Sequence, residues 1–477
     1  MTGSTPHWRA LRQAVDGEVV LPGTPEYEPL RTVFNARFDW VRPQAIVLCA
    51  SPEDVAETIS FSRRHRLAAA VRSGGHCFAG RSSSAGVLID TTPMNEVSIS
   101  GTVARVGAGT RLGDLYQALR PYDRTVPGGT CPAVGIAGLT LGGGLGILGR
   151  RYGLTSDHLL AAQVVLADGR TINCDDHNAV DLFWALRGGG AGGFGVVTSL
   201  VFKLRMVPTA VTNFRLVWPS RYAAAVIAAW QGWAPRGPDE LAASLVLAVP
   251  AEADQPAVVT VFGILLGGEA DTTRLLDSLV AQVGTTPAST YIKNLSYWET
   301  LQRWARLDHT SRDPSGVAPP DQVAPPSHRF IKSEFFSGPL PVDGIAGLVA
   351  NLTNERAAGQ SRELDFTPWG GAYNRAAGHA TAFVHRDPLY VLKHSSAVPS
   401  DASTAAKHAA QHWASESWDC VHRWGQRRVF PNFADPDLQN WADAYYGSNY
   451  DRLLRVKTRY DPGNFFRSRQ SIPLAGR

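Results

Sequence analysis

Residues 128–146 read GGTCPAVGIAGLTLGGGLG and combine a dense run of glycines with one cysteine, Cys131, that precedes a proline. Glycine loses more backbone freedom on folding than any other residue, so a purely structural loop of this composition would be costly. The composition instead favours close contact between the backbone and a large planar or phosphorylated ligand. Taken alone, Cys131 is about as consistent with a buried structural thiol as with a reactive one.

Two further glycine-rich turns lie on either side of this stretch. RSGGH, residues 72–76, follows a predicted strand, and its backbone N–H groups could hold phosphate oxygens while Arg72 adds positive charge. RGGGAGGFGVV, residues 187–197, runs from glycines into another predicted strand. None of the three matches the strand–GxGxxG–helix fingerprint, so a Rossmann nucleotide site is not indicated. Considered alone, His76 at the tip of the first turn is better explained as a structural histidine.

Composition limits the classes of function. The chain has 477 residues, of which 44% are hydrophobic, and a formal net charge of +4. This length predicts two or three domains, and the scattered Lys and Arg argue against a nucleic-acid partner. Five widely spaced cysteines without a CxxC pair argue against a disulfide framework and against a metal site. We expect a cytoplasmic protein with no membrane partner, since no apolar run could span a bilayer and no secretory signal is evident.

Hydrophobic patterning predicts two regions that differ in how strands and helices are arranged. Residues 45–50 read as a buried strand, and a helix should follow with Ser51 as its N-cap and Pro52 at its first position. The other elements predicted before Pro208 are strands at 67–72, 87–90 and 103–106, a helix presenting Leu112, Leu115, Tyr116 and Leu119, and a hairpin over 164–172.

After Pro208, strand and helix candidates alternate, which predicts a mainly antiparallel sheet with helices on one face. The strand candidates are 212–218, 241–249, 257–266, 328–336, 381–385 and 389–397, and the helix candidates are 221–234, 270–283, 341–352 and 401–424. Residues 308–327 are rich in proline and polar residues and are typical of a long surface loop.

The ordered set of motifs resembles the berberine-bridge-enzyme-like flavoproteins of the vanillyl-alcohol-oxidase superfamily, and bacterial members in particular. The matching pieces are RSGGH (72–76), GGTCPAVG (128–135), LGGGLG (141–146), RRYGLTSDHL (150–159), DLFWALRGGGAGGFGVVTS (181–199), YYGSNYDRL (445–453) and YDPGNFF…QSIP (460–473). The resemblance covers nearly the whole chain and implies an α+β fold of two domains. A PCMH-type FAD-binding domain would occupy 1–208 (core about 38–208), a substrate-binding domain 209–425, and a C-terminal segment 426–477 would return to the first domain.

The resemblance implies one FAD held by two covalent bonds, from His76 to the flavin 8α-methyl carbon and from Cys131 to C6. A neutral imidazole nitrogen and a thiolate are suitable nucleophiles for the electron-poor flavin edge. Residues 72–76 would surround the pyrophosphate. The implied cofactor-binding residues are Arg72, Ser73, Gly74, Gly75, His76, Cys77, Gly80, Cys131, Val134, Gly135, Gly138, Gly142, Gly143, Gly144, Gly146, Gly195, Val197, Asn432 and Asn449.

The resemblance also implies an oxidase of secondary metabolism, such as antibiotic biosynthesis. Its partners would be dioxygen and a small-molecule substrate, a bulky alcohol, hemiacetal or sugar hydroxyl oxidised by hydride transfer to flavin N5. In relatives, valine at the position of Val134 admits dioxygen, whereas leucine tends to block it, so hydrogen peroxide is the expected product. The simpler interpretation of Val134 is a core residue.

The pattern breaks where the family supplies its catalytic base. Relatives carry Tyr-x-Asn-Tyr, but this chain reads Phe430-Pro431-Asn432-Phe433, and phenylalanine cannot accept a proton. The candidate substitutes are Asp365, Tyr373, His379 and Tyr390. Tyr373 is preferred, because it precedes TAFVHR (381–386), which resembles the family strand beneath the flavin ring.

Two alternatives stay open at this stage. One is a flavin-dependent oxidative cyclase or desaturase that uses a base other than tyrosine. The other is a flavin-bearing binding protein without catalysis. Aromatic surface for a substrate could come from tryptophans after Pro208, although core packing explains most of them better. These tryptophans are Trp218, Trp230, Trp233, Trp298, Trp304 and Trp369.

Overall fold

The computed structural model describes residues 6–190, 193–252, 255–309, 326–355, 357 and 359–476. The strands are β1 Glu18–Val20, β2 Ala45–Leu48, β3 Ala69–Arg72, β4 Val87–Asp90, β5 Val97–Ser100, β6 Val103–Gly107, β7 Arg124–Thr125, β8 Leu159–Val165, β9 Thr171–Asp175, β10 Val196–Lys203, β11 Arg205–Met206, β12 Val211–Pro219, β13 Leu241–Val249, β14 Val258–Leu265, β15 Ser289–Leu295, β16 Ser327–Phe336, β17 Ser361–Pro368 and β18 Tyr390–Pro399. The helices are α1 Trp8–Ala14, α2 Tyr27–Arg31, α3 Pro52–Arg64, α4 Leu112–Leu119, α5 Ile136–Leu141, α6 Gly149–Tyr152, α7 Val180–Leu186, α8 Ala223–Trp233, α9 Glu269–Val283, α10 Tyr297–His309, α11 Val342–Thr353, α12 Thr404–His422, α13 Trp441–Tyr446 and α14 Tyr450–Tyr460.

Two main sheets form before residue 207. A four-stranded sheet has the order β1-β2-β4-β3, in which β4 pairs in parallel with β2 and β3. A five-stranded antiparallel sheet has the order β5-β6-β10-β8-β9. The predicted strands and the hairpin of this region are confirmed, and Ser51 caps α3 by accepting a hydrogen bond from the Asp54 N–H at 3.2 Å.

The chain from Val211 forms one antiparallel sheet of seven strands in the order β15-β12-β14-β13-β17-β18-β16. Helices α8, α9, α11 and α12 share a hydrophobic core with this sheet, and Trp218, Trp230 and Trp233 are buried in it. This confirms the predicted mixed α+β class and the helix-covered sheet. The other face of the sheet is turned toward the glycine-rich loops.

Several elements after Pro208 differ from expectation. Strands β15 and β17 and helix α10 were not predicted, because β15 is an exposed edge strand and β17, SRELDFTP, alternates polar with apolar residues. The strand predicted at 381–385 is wrong, because this segment is an irregular loop. Its backbone hydrogen bonds go to residues outside the sheet; for example, the Phe383 N–H donates to Arg187 O at 3.1 Å. The predicted loop at 308–327 lies almost entirely outside the described residues.

Arg150 joins the seven-stranded sheet to the first part of the chain. Its buried guanidinium donates to the carbonyl oxygens of Pro235 at 3.1 Å, Gly237 at 2.8 Å and Leu241 at 2.9 Å, and also to that of Trp369. These carbonyls satisfy its donors within the protein, although burial lowers the Arg150 pKa to about 10. Arg150 therefore fixes how the sheet sits over the loops that precede it.

The C-terminal segment packs back onto the first part of the chain. The ammonium of Lys457 is fully buried and donates to Asp461 at 2.7 Å, Gly193 O at 2.7 Å and Phe466 O at 2.6 Å. Asp461 also accepts the N–H groups of Phe465 and Phe466 at 2.9 Å. This paired and hydrogen-bonded charge holds Gly193 against the C-terminal segment. Within the described ranges, no helix has both the length and the apolar character that crossing a membrane requires.

Candidate functional site

One large cavity lies between the glycine-rich loops and the open face of the seven-stranded sheet. Its volume is about 1290 Å³, larger than the roughly 300–1,000 Å³ of an ordinary small-molecule pocket. His76 and Cys131 both line it, as do residues of β13, β17 and β18. The cavity therefore has room for a large cofactor together with a substrate.

The loops that carry His76 and Cys131 touch each other through two glycines. A Cβ placed on Gly135 would lie 2.1 Å from Ser73 Oγ and 2.3 Å from Gly74 N, and a Cβ on Gly74 would lie 2.2 Å from Gly135 N. No side chain fits at either position, so the two backbones meet directly. Ser73 Oγ anchors its loop by donating to Ala108 O at 2.7 Å.

The residues around this contact fit a bound FAD. A Cβ on Gly138 would meet no described atom within 4 Å, because this glycine faces the open cavity. The hydroxyl oxygens of Ser82 and Ser83 are buried, line the same cavity, and lack a hydrogen-bond partner among the described residues. Buried hydroxyls usually have partners, and a ribose or phosphate could supply them here.

Most of the residues predicted to bind the cofactor reach the cavity. Those that line it are Ser73, Gly74, Gly75, His76, Cys77, Gly80, Cys131, Val134, Gly135, Gly138, Gly142, Gly146, Gly195, Val197 and Asn432. Asn432 also ties the C-terminal segment to α5: its side chain donates to Gly138 O at 3.3 Å and accepts from Gly144 N at 3.0 Å.

Four predicted cofactor residues do not reach the cavity. The Arg72 guanidinium is buried and donates to the carbonyl oxygens of Leu30, Arg31 and Ser82, so it organises the loop instead of binding phosphate. Burial lowers its pKa from the usual arginine value.

The other three serve packing between segments. A Cβ on Gly143 would lie 2.8 Å from the Phe383 ring, and one on Gly144 would lie 2.4 Å from Thr155 Oγ1. Asn449 donates to the carbonyl oxygens of Gly378 at 2.8 Å and Thr381 at 3.1 Å. In the described structure, these glycines and this asparagine therefore contribute packing and hydrogen bonds within the protein.

Phe430 and Phe433 form an apolar wall of the cavity. Their rings meet edge to face at 5.1 Å, and they belong to a cluster with Phe383 and Trp369. The Phe433 ring also lies 5.4 Å from the ammonium nitrogen of Lys393. The positions where relatives carry tyrosines therefore face the cavity but offer no proton acceptor.

Tyr373 lines the cavity, but its hydroxyl is engaged. It donates to Gly146 O at 3.1 Å and accepts from Gly146 N at 3.3 Å, and burial raises its pKa to about 12. Tyr390 lies in the hydrophobic core between the seven-stranded sheet and its helices, where its hydroxyl donates to Gln231 at 3.1 Å. His379 is exposed and lies outside the cavity. The structure therefore disfavours all three as the base, including the preferred Tyr373.

Asp365 faces the cavity from β17 in an ion pair with Lys393 of β18. The two residues are direct cross-strand partners, and Lys393 Nζ lies 2.9 Å from Asp365 Oδ2. The hydroxyl of Thr367 donates to the other carboxylate oxygen at 3.2 Å. Since Lys393 also adjoins Phe433, this carboxylate lies close to the place of the missing tyrosine.

The remaining residues that line the cavity differ in how clearly the sequence indicated them. Lys393 shares the cavity face of β18 with Ser395 and Ala397, so strand alternation could have indicated it. Phe34, which stacks on His76, lies in an irregular segment that carried no signal. Of the tryptophans considered, Trp304 lines the cavity.

Comparison with known proteins gives consistent matches along the chain. The model described as an FAD binding domain matches residues 43–175, and the model described as berberine and berberine like matches 429–473. The FAD-linked oxidoreductase YvdP of Bacillus subtilis is 32% identical over 464 residues, covering 96% of this chain and 98% of that protein. Berberine bridge enzyme-like 12 of Arabidopsis thaliana is 31% identical, with 96% and 90% covered. A solved chitooligosaccharide oxidase is 25% identical with a TM-score of 0.83, covering 98% of this chain and 99% of that one.

Gly135→Ala is expected to separate the two loops and to lower the FAD content of the purified protein. The added methyl has no space beside Ser73 and Gly74, and such overpacking costs about 1–3 kcal/mol. The flavin-to-protein absorbance ratio and the Tm report the two effects. Gly232→Ala is the matched control, because Gly232 is an exposed position of helix α8 and its Cβ would meet no described atom within 4 Å. Normal FAD content in Gly135→Ala would contradict the tight contact.

Proposed function

The chain belongs to the berberine-bridge-enzyme-like family of FAD-linked oxidoreductases, and we propose that it is an oxidase whose FAD is bound by two covalent bonds. Its predicted class, an FAD-linked oxidoreductase, is confirmed, and the alternative of a non-catalytic binding protein is set aside. The observation that carries the proposal is a single cavity that presents His76, Cys131 and the Asp365–Lys393 pair.

We assign the two attachment points to the touching loops. His76 would bond the flavin 8α-carbon and Cys131 would bond C6, since both side chains open onto one cavity from backbones in direct contact at Gly74 and Gly135. The cofactor-binding unit would comprise residues 1–208 with 426–477, and the substrate-binding unit residues 209–425.

Asp365 is the base in this proposal. When bound, FAD supplies at N5 the acceptor for the hydride that leaves the substrate carbon. The Asp365 carboxylate would take the hydroxyl proton of the substrate, and Lys393 and Thr367 hold its two oxygens in place. The Tyr373 hydroxyl, bonded to Gly146 and with its pKa raised to about 12, would only support the loop.

Dioxygen is the proposed electron acceptor and peroxide the product. Val134 lines the cavity three positions after Cys131, and its side chain is smaller than a leucine, which would take up more of the cavity at this point. The substrate would be a bulky alcohol, hemiacetal or sugar hydroxyl from secondary metabolism. The size of the cavity supports this class, and the similarity to a chitooligosaccharide oxidase favours its sugar members.

An oxidative cyclase or desaturase is the second candidate. The apolar wall of Phe430 and Phe433 favours it, because such a wall suits a substrate that reacts at carbon and not at a hydroxyl. Mass and NMR analysis of the product separates the two, since a new carbonyl marks alcohol oxidation and a new ring or double bond marks the alternative.

The covalent linkage is tested by peptide mass spectrometry of the purified protein. Peptides containing His76 and Cys131 should both carry the flavin mass, and His76→Ala or Cys131→Ala should leave only the other linkage. Absence of flavin from both wild-type peptides would refute the attachment.

Asp365→Asn is expected to lower the rate of flavin bleaching by substrate about 10²- to 10⁴-fold, because the amide cannot accept the proton. Tyr373→Phe is the matched control and should retain turnover within a few fold of wild type. The measurement is single-turnover absorbance with candidate alcohols and sugars. Unchanged rates in both variants would exclude both residues, whereas loss in Tyr373→Phe alone would restore tyrosine as the base.

Val134→Leu is expected to slow reoxidation by air while bleaching by substrate is retained, because the longer side chain fills the space next to the cofactor. Peroxide formation and turnover with an artificial electron acceptor are each compared between Val134→Leu and the wild type. Negligible peroxide from the wild type, with normal turnover on the artificial acceptor, would reject the oxidase assignment.

A further inference from the structure

His76 lies at one end of a stack that crosses from the first part of the chain to the seven-stranded sheet. Its imidazole stacks on the Phe34 ring with centroids 4.5 Å apart and planes 17° apart. The guanidinium carbon of Arg329, a residue of β16, lies 5.0 Å from the centroid of the same ring. Phe34 is thus held by a contact from each side of the cleft.

Asn35 fixes the backbone that carries this stack. Its side chain is buried, donates from Nδ2 to Arg329 O at 3.0 Å, and accepts at Oδ1 from Arg329 N at 3.0 Å. The next residue back, Phe34, donates its N–H to Gly75 O at 3.3 Å, directly beside His76. Phe34 and Asn35 therefore connect the start of β16 to the turn that carries His76.

We propose that Phe34, held by Asn35 and Arg329, is a positioning residue that orients the His76 imidazole for covalent attachment. This inference rests on the proposed attachment and adds a structural requirement for it. A stacked ring restricts rotation of the imidazole, and a bond-forming nitrogen needs its lone pair directed at the carbon it attacks. Arg329 belongs to β16, and its backbone N–H and carbonyl are the groups that Asn35 binds. The sheet must therefore be docked before His76 is correctly oriented.

The attachment step is balanced with the acceptor already proposed. A bond forms between an imidazole nitrogen and the 8α-carbon, while one methyl C–H bond and the imidazole N–H bond break. The two protons and two electrons released would pass to dioxygen, which would become hydrogen peroxide. Phe34 takes no part in these bonds and acts only on the orientation of His76.

The test measures the flavin-bearing fraction of the His76 peptide relative to that of the Cys131 peptide in the same purified protein. Phe34→Ala should lower the His76 fraction about tenfold or more, since small misplacements of a reacting group have large effects on rate. The Cys131 fraction should stay near that of the wild type. Phe34→Tyr keeps the stacked ring and should restore the His76 fraction.

Arg329→Met and Arg37→Met form a matched pair for the other side of the stack. Arg37 makes the same class of contact with a different ring: its guanidinium carbon lies 5.0 Å from the centroid of the Phe330 ring. We expect Arg329→Met alone to lower the His76 fraction. Tm values of all four variants show whether they remain folded.

The outcomes separate the inference from the proposed function. An unchanged His76 fraction in Phe34→Ala and Arg329→Met overturns the positioning role. An equal fall of the His76 and Cys131 fractions in these variants also overturns it, because this result marks a general loss of the fold. Absence of flavin from His76 in the wild-type protein refutes the attachment itself.

Discussion

The site depends on one steric constraint, the direct contact between Gly74 and Gly135. Each glycine lies where a Cβ would be within about 2.3 Å of the backbone of the other. The contact brings the turn of His76 and the loop of Cys131 to the same cavity, although 54 residues separate them in sequence. Glycine is required here because a side chain would not fit between the two backbones. The backbone conformation itself does not require glycine, since the φ angles of both residues lie outside the left-handed region.

The rest of the fold places the open face of the seven-stranded sheet opposite this contact. Arg150 donates to carbonyls at the start of β13 and before it, so the sheet cannot shift far relative to the loops. Asn432 bridges to the end of α5 and holds the aromatic wall against the same loops. Arg150 and Asn432, whose polar atoms bond to backbone groups, therefore set the geometry of the cleft. The hydrophobic cores stabilise the two parts of the chain on either side of it.

The sequence predicted the elements with clear periodicity, and its local motifs identified His76 and Cys131, which both line the cavity. It did not predict β17, because alternating polar residues at the cavity face resemble a loop until the cavity is known. It also did not indicate the backbone partners of Arg72 and Asn449, since a motif identifies a residue but not the partner of its polar atoms. The engaged hydroxyl of Tyr373 could not be foreseen for the same reason: its partner Gly146 is 227 residues away in sequence.

The missing tyrosines are best understood together with Lys393. A tyrosine at position 433 would lie beside this ammonium, whose charge favours an ionised proton acceptor. Phenylalanine removes the hydroxyl but keeps a ring face that a cation can contact. The carboxylate of Asp365, 2.9 Å from the same ammonium, remains in place. In the proposed mechanism, phenylalanine at position 433 leaves the charge of Lys393 in place, and the proton acceptor would lie on β17 of the sheet instead of on the C-terminal segment.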